Sequence, residues 1–380
     1  MIPALFLIGI IGYVAAVRIR LSAEIAFGLV WLISVWLLTL LSHSETGFVS
    51  PDEIYFSTKG LDSLFANRSL WIAINTVVSL FTDNIIGQMR ILNLGFLILL
   101  YGAAVLKLRS IPPLLIAICL SYAACIAALN LRDVAILLAT LHILAALGKT
   151  GSRVQDVILV TWKNKISVMF LFMLRPQMGL LLLASALRLR TLAVIIFGAF
   201  LFLQSSYGTQ YFYNYAYYTQ NFDTAIVERA EAKEYERTEP SLINIGFWSA
   251  RFVLAPDPFS SARRLLTEPE THPYGRTDLA VRTLSRFALY ILFFLIAYRA
   301  VQDPKSTWRV LSEHALALKF GLLFTLLYAL FNFGASHERV KMVVLLLLLY
   351  LFDQLRLDRQ NRKSTQRVDI SHPHKLAGLR

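Results

Sequence analysis

Ala23-Glu-Ile-Ala-Phe-Gly-Leu-Val-Trp-Leu-Ile-Ser-Val-Trp-Leu-Leu-Thr-Leu-Leu41 is an almost uninterrupted apolar run. It is close to the ~20 residues that a helix needs to cross ~30 Å of hydrocarbon. A short polar stretch follows, Phe48-Val-Ser-Pro-Asp-Glu-Ile-Tyr55, and similar apolar runs recur along most of the chain. Of the 380 residues, 57% are apolar and 16% charged, and the mean hydropathy is +0.58. Soluble domains average about 45–50% apolar and about 25% charged. The composition excludes a soluble globular domain and predicts an all-α polytopic membrane protein of about nine to eleven transmembrane helices.

Short cytoplasmic loops collect Lys and Arg, so the basic pairs orient the spans. Arg18 and Arg20, Lys107 and Arg109, Lys149 and Arg153, Arg188 and Arg190, Arg299 with Lys305 and Arg309, and the tail from Arg356 to Arg380 fall on one side. The spans this implies are 3–17, 23–41, 91–106, 112–129, 134–147, 190–205, 282–300, 314–333 and 340–355. The loop holding Asp52 then lies outside. Residues 157–187 fit no single span, because Arg175-Pro176-Gln177 divides the run and both flanks are basic. Irregular backbone at membrane depth survives only where protein or a watery cavity satisfies it. The reading is a re-entrant or broken pair of short helices with Arg175 at the outer tip.

Residues 1–355 are thus expected to form one transmembrane domain that includes a large outer loop at 206–281. From Ser206 to Ala280 that loop carries ten acids against seven Lys and Arg, so it lacks the cytoplasmic signature. Residues 356–380 are expected to be a basic cytoplasmic tail, frayed from Asp353 onward. The first 20 residues show no basic leader and no small-residue cleavage site, so the first span is expected to stay uncleaved. The net charge of +13 is scattered over loops, which suits orientation and attraction to anionic lipid rather than nucleic acid. Cys119 and Cys125, the only cysteines, both fall in one apolar span and support neither a disulfide framework nor a thiolate metal site.

Polar residues in and beside spans are expensive, which makes them candidates for function. Asp52 and Glu53 repel each other, favouring one protonated member, and either could remove a proton from an attacking hydroxyl. Ser50-Pro-Asp-Glu53 is equally an ordinary helix start. Arg132 could bind phosphate oxygens with Asp133 orienting it, and the same pair could simply tie a turn. Arg175 sits beside a helix break whose freed amides, with Gln177, could face an anion, or it could snorkel to the interface. His337, Glu338 and Arg339 mark the outer mouth of the last span, where Glu338 is a third candidate base. Tyr55, the tyrosines around Tyr211 and Tyr215, and Arg251 could line a sugar site, although the tyrosines also suit an interfacial aromatic belt.

Leu131-Arg-Asp-Val-Ala-Ile-Leu-Leu-Ala-Thr-Leu-His-Ile-Leu144, the Arg175-Pro-Gln177 break and the terminal Arg339 span resemble the layout of EpsG-like and Wzy-type polysaccharide (O-antigen) polymerases. Asp52-Glu53 is similar to the outer-loop acidic motif of GT-C glycosyltransferases, although it follows the second predicted span where those enzymes carry theirs after the first. The resemblance implies an inverting glycosyltransferase of the bacterial inner membrane. It would polymerise undecaprenyl-diphosphate-linked repeat units on the periplasmic face, in lipopolysaccharide or exopolysaccharide synthesis. Arg132, Arg175 and Arg339 would hold the diphosphate, a carboxylate among Asp52, Glu53 and Glu338 would be the base, and no metal or other cofactor would be needed. Lipid-linked oligosaccharide, membrane lipids and a chain-length regulator would be its partners. Two alternatives stay open: a transferase using a polyprenyl-phosphate sugar donor, which a divalent ion would assist, and a transporter or flippase of lipid-linked glycans.

Overall fold

The computed structural model describes residues 22–58, 69–147, 162–185, 242–267, 275–331 and 338–371, together with 187, 197 and 198. Among them all regular structure is helical. Helix α1 (Ala23–Thr46) begins where the Ser22 hydroxyl accepts the Ile25 amide and ends at Gly47, whose φ of +62° is the left-handed stop that glycine adopts without a Cβ clash. With α4 (Ile85–Lys107) and α12 (Gly275–Gln302) it makes three helices long and apolar enough to cross a membrane. A fourth is present if α13 (Pro304–Glu313) and α14 (Ala315–Phe331), which meet at 80°, count as one broken span. These helices mark a membrane-embedded protein. Phe27, Val30, Leu37, Leu38 and Leu41 on α1 and Phe293 and Phe294 on α12 are exposed, as faces covered by lipid tails would be.

The other expected spans are shorter or broken. The run at 112–129 divides at Leu120 into α5 (Pro113–Cys119) and α6 (Ser121–Ala127), and α7 (Asp133–Leu147) has 15 residues. A further helix, α3 (Ser69–Ser79), was not marked by the sequence reading, and neither was the full extent of the last helix, α15 (Glu338–Ser371). The expectation of a frayed end from Asp353 is corrected, because the Asp358 carboxylate accepts from Ser306 Oγ at 2.6 Å and from Arg309, pinning α15 to α13. Expected spans at 3–17 and 190–205, apart from residues 197 and 198, and the whole of 206–241 lie outside the described residues.

Breaks at membrane depth persist here because they are central. Helices α6 and α7 and the turn between them are buried almost residue by residue, from Ser121 to Leu137. Helices α1, α4, α12 and α15 pack around them, with α8 (Lys165–Leu174) against α7. The α6–α7 turn is non-helical, yet side chains satisfy its backbone. Asn93 Nδ2 donates to the carbonyls of Leu129 (2.7 Å) and Leu131 (2.8 Å), and Glu53 Oε1 accepts the Asn130 amide at 2.7 Å. The Asn130 side chain accepts from Trp71 Nε1 (2.9 Å) and donates to Asn75 Oδ1 (2.6 Å). Burial of such groups without partners would cost several kcal/mol, roughly 2–7 each by transfer, so the turn exists only with this set around it.

The broken pair is present where the sequence places it. Helix α8 ends at Leu174, α9 (Pro176–Ser185) starts two residues on, and Arg175 is the break. A Cβ at Gly179 would lie 2.5 Å from the Phe172 ring, so glycine lets the second helix close on the first.

The two ends of the bundle differ. One carries Lys107, Arg109, Arg299, Lys305, Arg309 and Arg356, and is tied by Ser110 to the Asp353 carboxylate (2.8 and 2.7 Å) and by Arg362 to Asp303 (3.1 Å). The other collects Asp52, Glu53, Arg90, Arg132, Asp133, Arg175, Glu338 and Arg339. The basic loops and the candidate site therefore occupy opposite ends, as their sequence positions imply.

Candidate active site at the polar end of the bundle

Helix α2 (Pro51–Thr58) puts Asp52 and Glu53 in one turn and points them at different surroundings. Glu53 turns inward and is fully buried. Its Oε1 accepts Arg90 Nε (2.9 Å) and the Asn130 amide (2.7 Å), and its Oε2 accepts Arg90 Nη2 (3.0 Å) and the Ser50 amide (2.9 Å). The Ser50 bond is the return half of a capping box, and the paired bonds from Arg90 are the bidentate fork that guanidinium makes with carboxylate. Four donors hold the anion and no face is left for a substrate. Of the three candidate bases Glu53 is the one whose oxygens are saturated by structural donors: it joins α2, α4 and the α6–α7 turn.

Asp52 faces the other way. Its Oδ2 accepts Arg339 Nη1 at 2.8 Å, and the same nitrogen lies 4.0 Å from Asp133 Oδ2. Asp133 Oδ1 lies 3.4 Å from Arg175 Nη2, and the Arg175 guanidinium stands 5.5 Å over the Tyr328 ring. Residues from α2, α7, the α8–α9 break and α15, separated by up to 287 positions, thus alternate carboxylate and guanidinium in one chain. Asp52 and Arg339 keep 17% and 30% of their side chains exposed, so unlike Glu53 they can be reached. The 3.4 and 4.0 Å separations are looser than the ~2.7–2.9 Å of a tight charged hydrogen bond, so Asp133 holds neither guanidinium closely.

Arg132 has a different position from the one its neighbour suggests. Its Nη1 donates to the Leu174 carbonyl, one of the orphan acceptors at the C-terminus of α8, and so fastens the α6–α7 turn to the tip of the broken pair. Gln177 stands in the first turn of α9, and its buried Oε1 accepts no hydrogen bond among the described residues. Tyr55 packs edge-on against Phe56, 5.6 Å between rings. Arg251 is exposed on α10 (Leu242–Leu254), next to Phe252, whose ring stacks on Tyr328 at 6.4 Å. Tyr211, Tyr215 and His337 lie outside the described residues.

Beside the Asp52 chain, the candidate base Glu338 gathers a second buried group whose cations, Arg286 and Lys341, are not among the residues singled out in the sequence. Glu338 Oε1 accepts Arg286 Nε (3.0 Å) and Nη2 (2.7 Å) and stands 3.8 Å from Lys341 Nζ. Glu338 is thus engaged by two basic side chains and is buried, whereas Asp52 keeps part of its side chain exposed. Arg286 also donates to Ser261 Oγ, and Lys341 to the Ala255 carbonyl. These bonds, with Tyr290 Oη to the Leu254 carbonyl at 2.6 Å, fasten the corner between α10 and α11 (Pro258–Thr267) over the site. One helical turn before Arg286, Arg282 pairs with Asp278 at 2.6 Å and stands 5.5 Å over the Tyr122 ring. The i, i+4, i+8 spacing of Asp278, Arg282 and Arg286 places all three on one face of α12, a signal visible in the sequence once that helix is known to extend to Gly275.

Across Asp52, Asp133, Asp278 and Glu338 on one side and Arg132, Arg175, Arg282, Arg286, Arg339 and Lys341 on the other, cations outnumber carboxylates. Among the described residues no group of three or more His, Cys, Asp and Glu is gathered to hold a metal ion. At the α10–α11 corner, outside the spans, hydrogen bonds from Ser260 and then from the Phe259 amide hold the Asp257 carboxyl below its ordinary range.

Fold and site define a class, a helical membrane protein with a buried, cation-rich ion-pair network at one end. Comparison with known protein families, with curated proteins and with solved structures finds no match.

Proposed function

We propose that the protein is an inverting glycosyltransferase of the bacterial inner membrane that polymerises repeat units carried on undecaprenyl diphosphate, and that its site faces the periplasm. The observation that carries this reading is the meeting of Asp52, Asp133, Arg175 and Arg339 from four separate segments in one chain of alternating charge whose outer pair, Asp52 and Arg339, is partly exposed. Placement of the basic loops at the opposite end supports the orientation, since such loops stay cytoplasmic. Nine to eleven transmembrane helices, counting broken and short ones, belong to the same proposal.

In this reading Arg175 and Arg339 leave Asp133 for the diphosphate of the growing chain, and Arg132 positions the turn that carries Asp133. The acceptor hydroxyl of the incoming repeat unit attacks the anomeric carbon from the face opposite the diphosphate. Its proton passes to Asp52, the new C–O bond forms as the old one breaks, and the lipid diphosphate departs with the electron pair. Guanidiniums aimed at the departing oxygens stabilise the charge that develops there. Gln177 Oε1 offers an acceptor for a sugar hydroxyl.

The test is turnover of purified, reconstituted protein with lipid-linked repeat units. Asp52→Asn is expected to lower the rate by about 10²–10⁴, the usual effect of removing a general base, with the protein still folded. Polymerisation at the wild-type rate by this variant would remove Asp52 from the mechanism. Lipid-linked glycan moved across the bilayer without growth would favour the flippase reading instead.

A further inference from the structure

Helix α12, with 28 residues, is roughly 42 Å long at 1.5 Å per residue, about the thickness of a bilayer including both headgroup layers. It starts at the polar end, so Gln302 falls at the headgroup level of the basic end. Helix α13 begins there, after Asp303, whose side chain caps the Ser306 amide at 3.1 Å. Its axis makes 80° with α14, which returns into the bundle. A helix roughly perpendicular to its membrane-crossing neighbour, at the end of a helix that spans the bilayer, runs along the surface.

The two faces of α13 are unlike. Ser306, Thr307 and Val310 are buried, and Asp358 of α15 bonds to Ser306 and Arg309. The opposite face shows Trp308 at 74% exposure with Lys305, continued by Val301 at 82% and Tyr298 at 59% from the last turn of α12. Three large apolar or amphipathic side chains exposed at the junction of two consecutive helices are costly in water. Trp and Tyr are the residues that settle at the membrane interface. Arg359 on α15 is exposed near Asp358, which holds Arg309, and among the described residues Lys305 has no ion-pair partner.

We propose that α13 is an interfacial anchor: Trp308, Val301 and Tyr298 are immersed at the headgroup–acyl boundary, and Lys305 with Arg359 holds the phosphate of an anionic phospholipid of the same leaflet. The occupant is lipid rather than a soluble partner because Tyr298 and Val301 extend, at i, i+4 and i+7, the exposed apolar stripe of the membrane-crossing α12 that includes Phe294. The inference rests on membrane embedding alone and is independent of the glycosyltransferase reading.

The test uses the full chain in proteoliposomes. Trp308→Cys, at an exposed position, is labelled with bimane; the native Cys119 and Cys125 are buried, and unmodified protein serves as the labelling control. Lipids with nitroxide near the headgroup or at the 5-position of the acyl chain are expected to quench the label more than lipids with nitroxide at the 12-position, with little quenching by iodide. Strong iodide quenching without lipid quenching would place α13 in water and overturn the proposal. A second arm leaves Trp308 intact. In vesicles mixing phosphatidylglycerol with phosphatidylcholine, Lys305→Gln is expected to reduce the phosphatidylglycerol retained on the purified protein by about fivefold per cation removed. Equal retention by Lys305→Gln/Arg359→Gln and wild type would overturn the anionic-lipid site.

Discussion

Asp52 and Glu53 are neighbours in the chain with opposite surroundings. Glu53 has no exposed surface and accepts four hydrogen bonds between 2.7 and 3.0 Å from three segments. Asp52 is reachable, and beyond its 2.8 Å bond to Arg339 the chain of charges loosens to 3.4 and 4.0 Å. A saturated carboxylate holds a fold together, because removing any partner strands a buried charge. Asp133, which meets its guanidiniums only at 3.4 and 4.0 Å, leaves them freer to change partners, which is what binding an anion requires. The contrast shows that two adjacent acids cannot be assigned a shared role from their spacing.

The strongest way to break the comparison is to attack the saturated side. Glu53→Ala strands Arg90 and leaves the Asn130 and Ser50 amides unsatisfied. Removing one partner of a buried pair costs about 3–5 kcal/mol, so folded protein should be nearly lost, as read by size-exclusion chromatography and thermal unfolding in detergent. Wild-type stability in this variant would show that Glu53 is not the staple described.

The next largest effect should fall on the loose side and on rate alone. Arg339→Lys keeps the charge and loses the fork. It is expected to lower turnover by about 10²-fold, within the range for one lost transition-state contact, while the unfolding temperature stays within a few degrees of wild type. An equal loss of stability and rate would make Arg339 structural and erase the difference between the two acids.

A smaller effect sharpens the role of the turn between α6 and α7. Asn93→Ala removes the donor to the Leu129 and Leu131 carbonyls, and leaving such buried groups unmet costs about 1–3 kcal/mol. Because the turn carries Arg132 and Asp133, stability and donor affinity should fall together. Loss of stability with unchanged affinity for lipid diphosphate would detach the turn from the site.

The smallest effect is at the α10–α11 corner, where Asp257 caps α11 from an exposed position. Its folded-state pKa is depressed, so its contribution is present above the unfolded value, about 3.9, and disappears as pH falls through the folded value. Asp257→Asn should lower the unfolding temperature slightly at neutral pH, and the gap from wild type should close as the pH falls below about 4. A gap that persists at low pH would mean that the amide fails for reasons other than charge.

Much of the site was legible in the sequence. Asp52, Asp133, Arg175, Glu338 and Arg339 stood out because a bilayer makes each expensive, and the Arg175-Pro176 break appears where it was expected. Arg90, Arg282, Arg286 and Lys341 were missed. Arg90 stands in an apolar helix just before the stretch read as a span, Arg282 falls at the expected start of its span, and Arg286 and Lys341 stand in the first two turns of stretches read as apolar.

The sequence alone determined that the chain is helical, that it is embedded in a membrane, and that its basic loops and its acidic motif belong to opposite ends. Each follows from local quantities: the length of an apolar run, the position of a proline, the placement of Lys and Arg. The tertiary structure alone decided which spans are broken, which of two adjacent acids is buried, and which arginine pairs with a carboxylate and which caps a helix. Those outcomes depend on what a side chain meets from segments up to 287 residues away, and no local pattern carries that information.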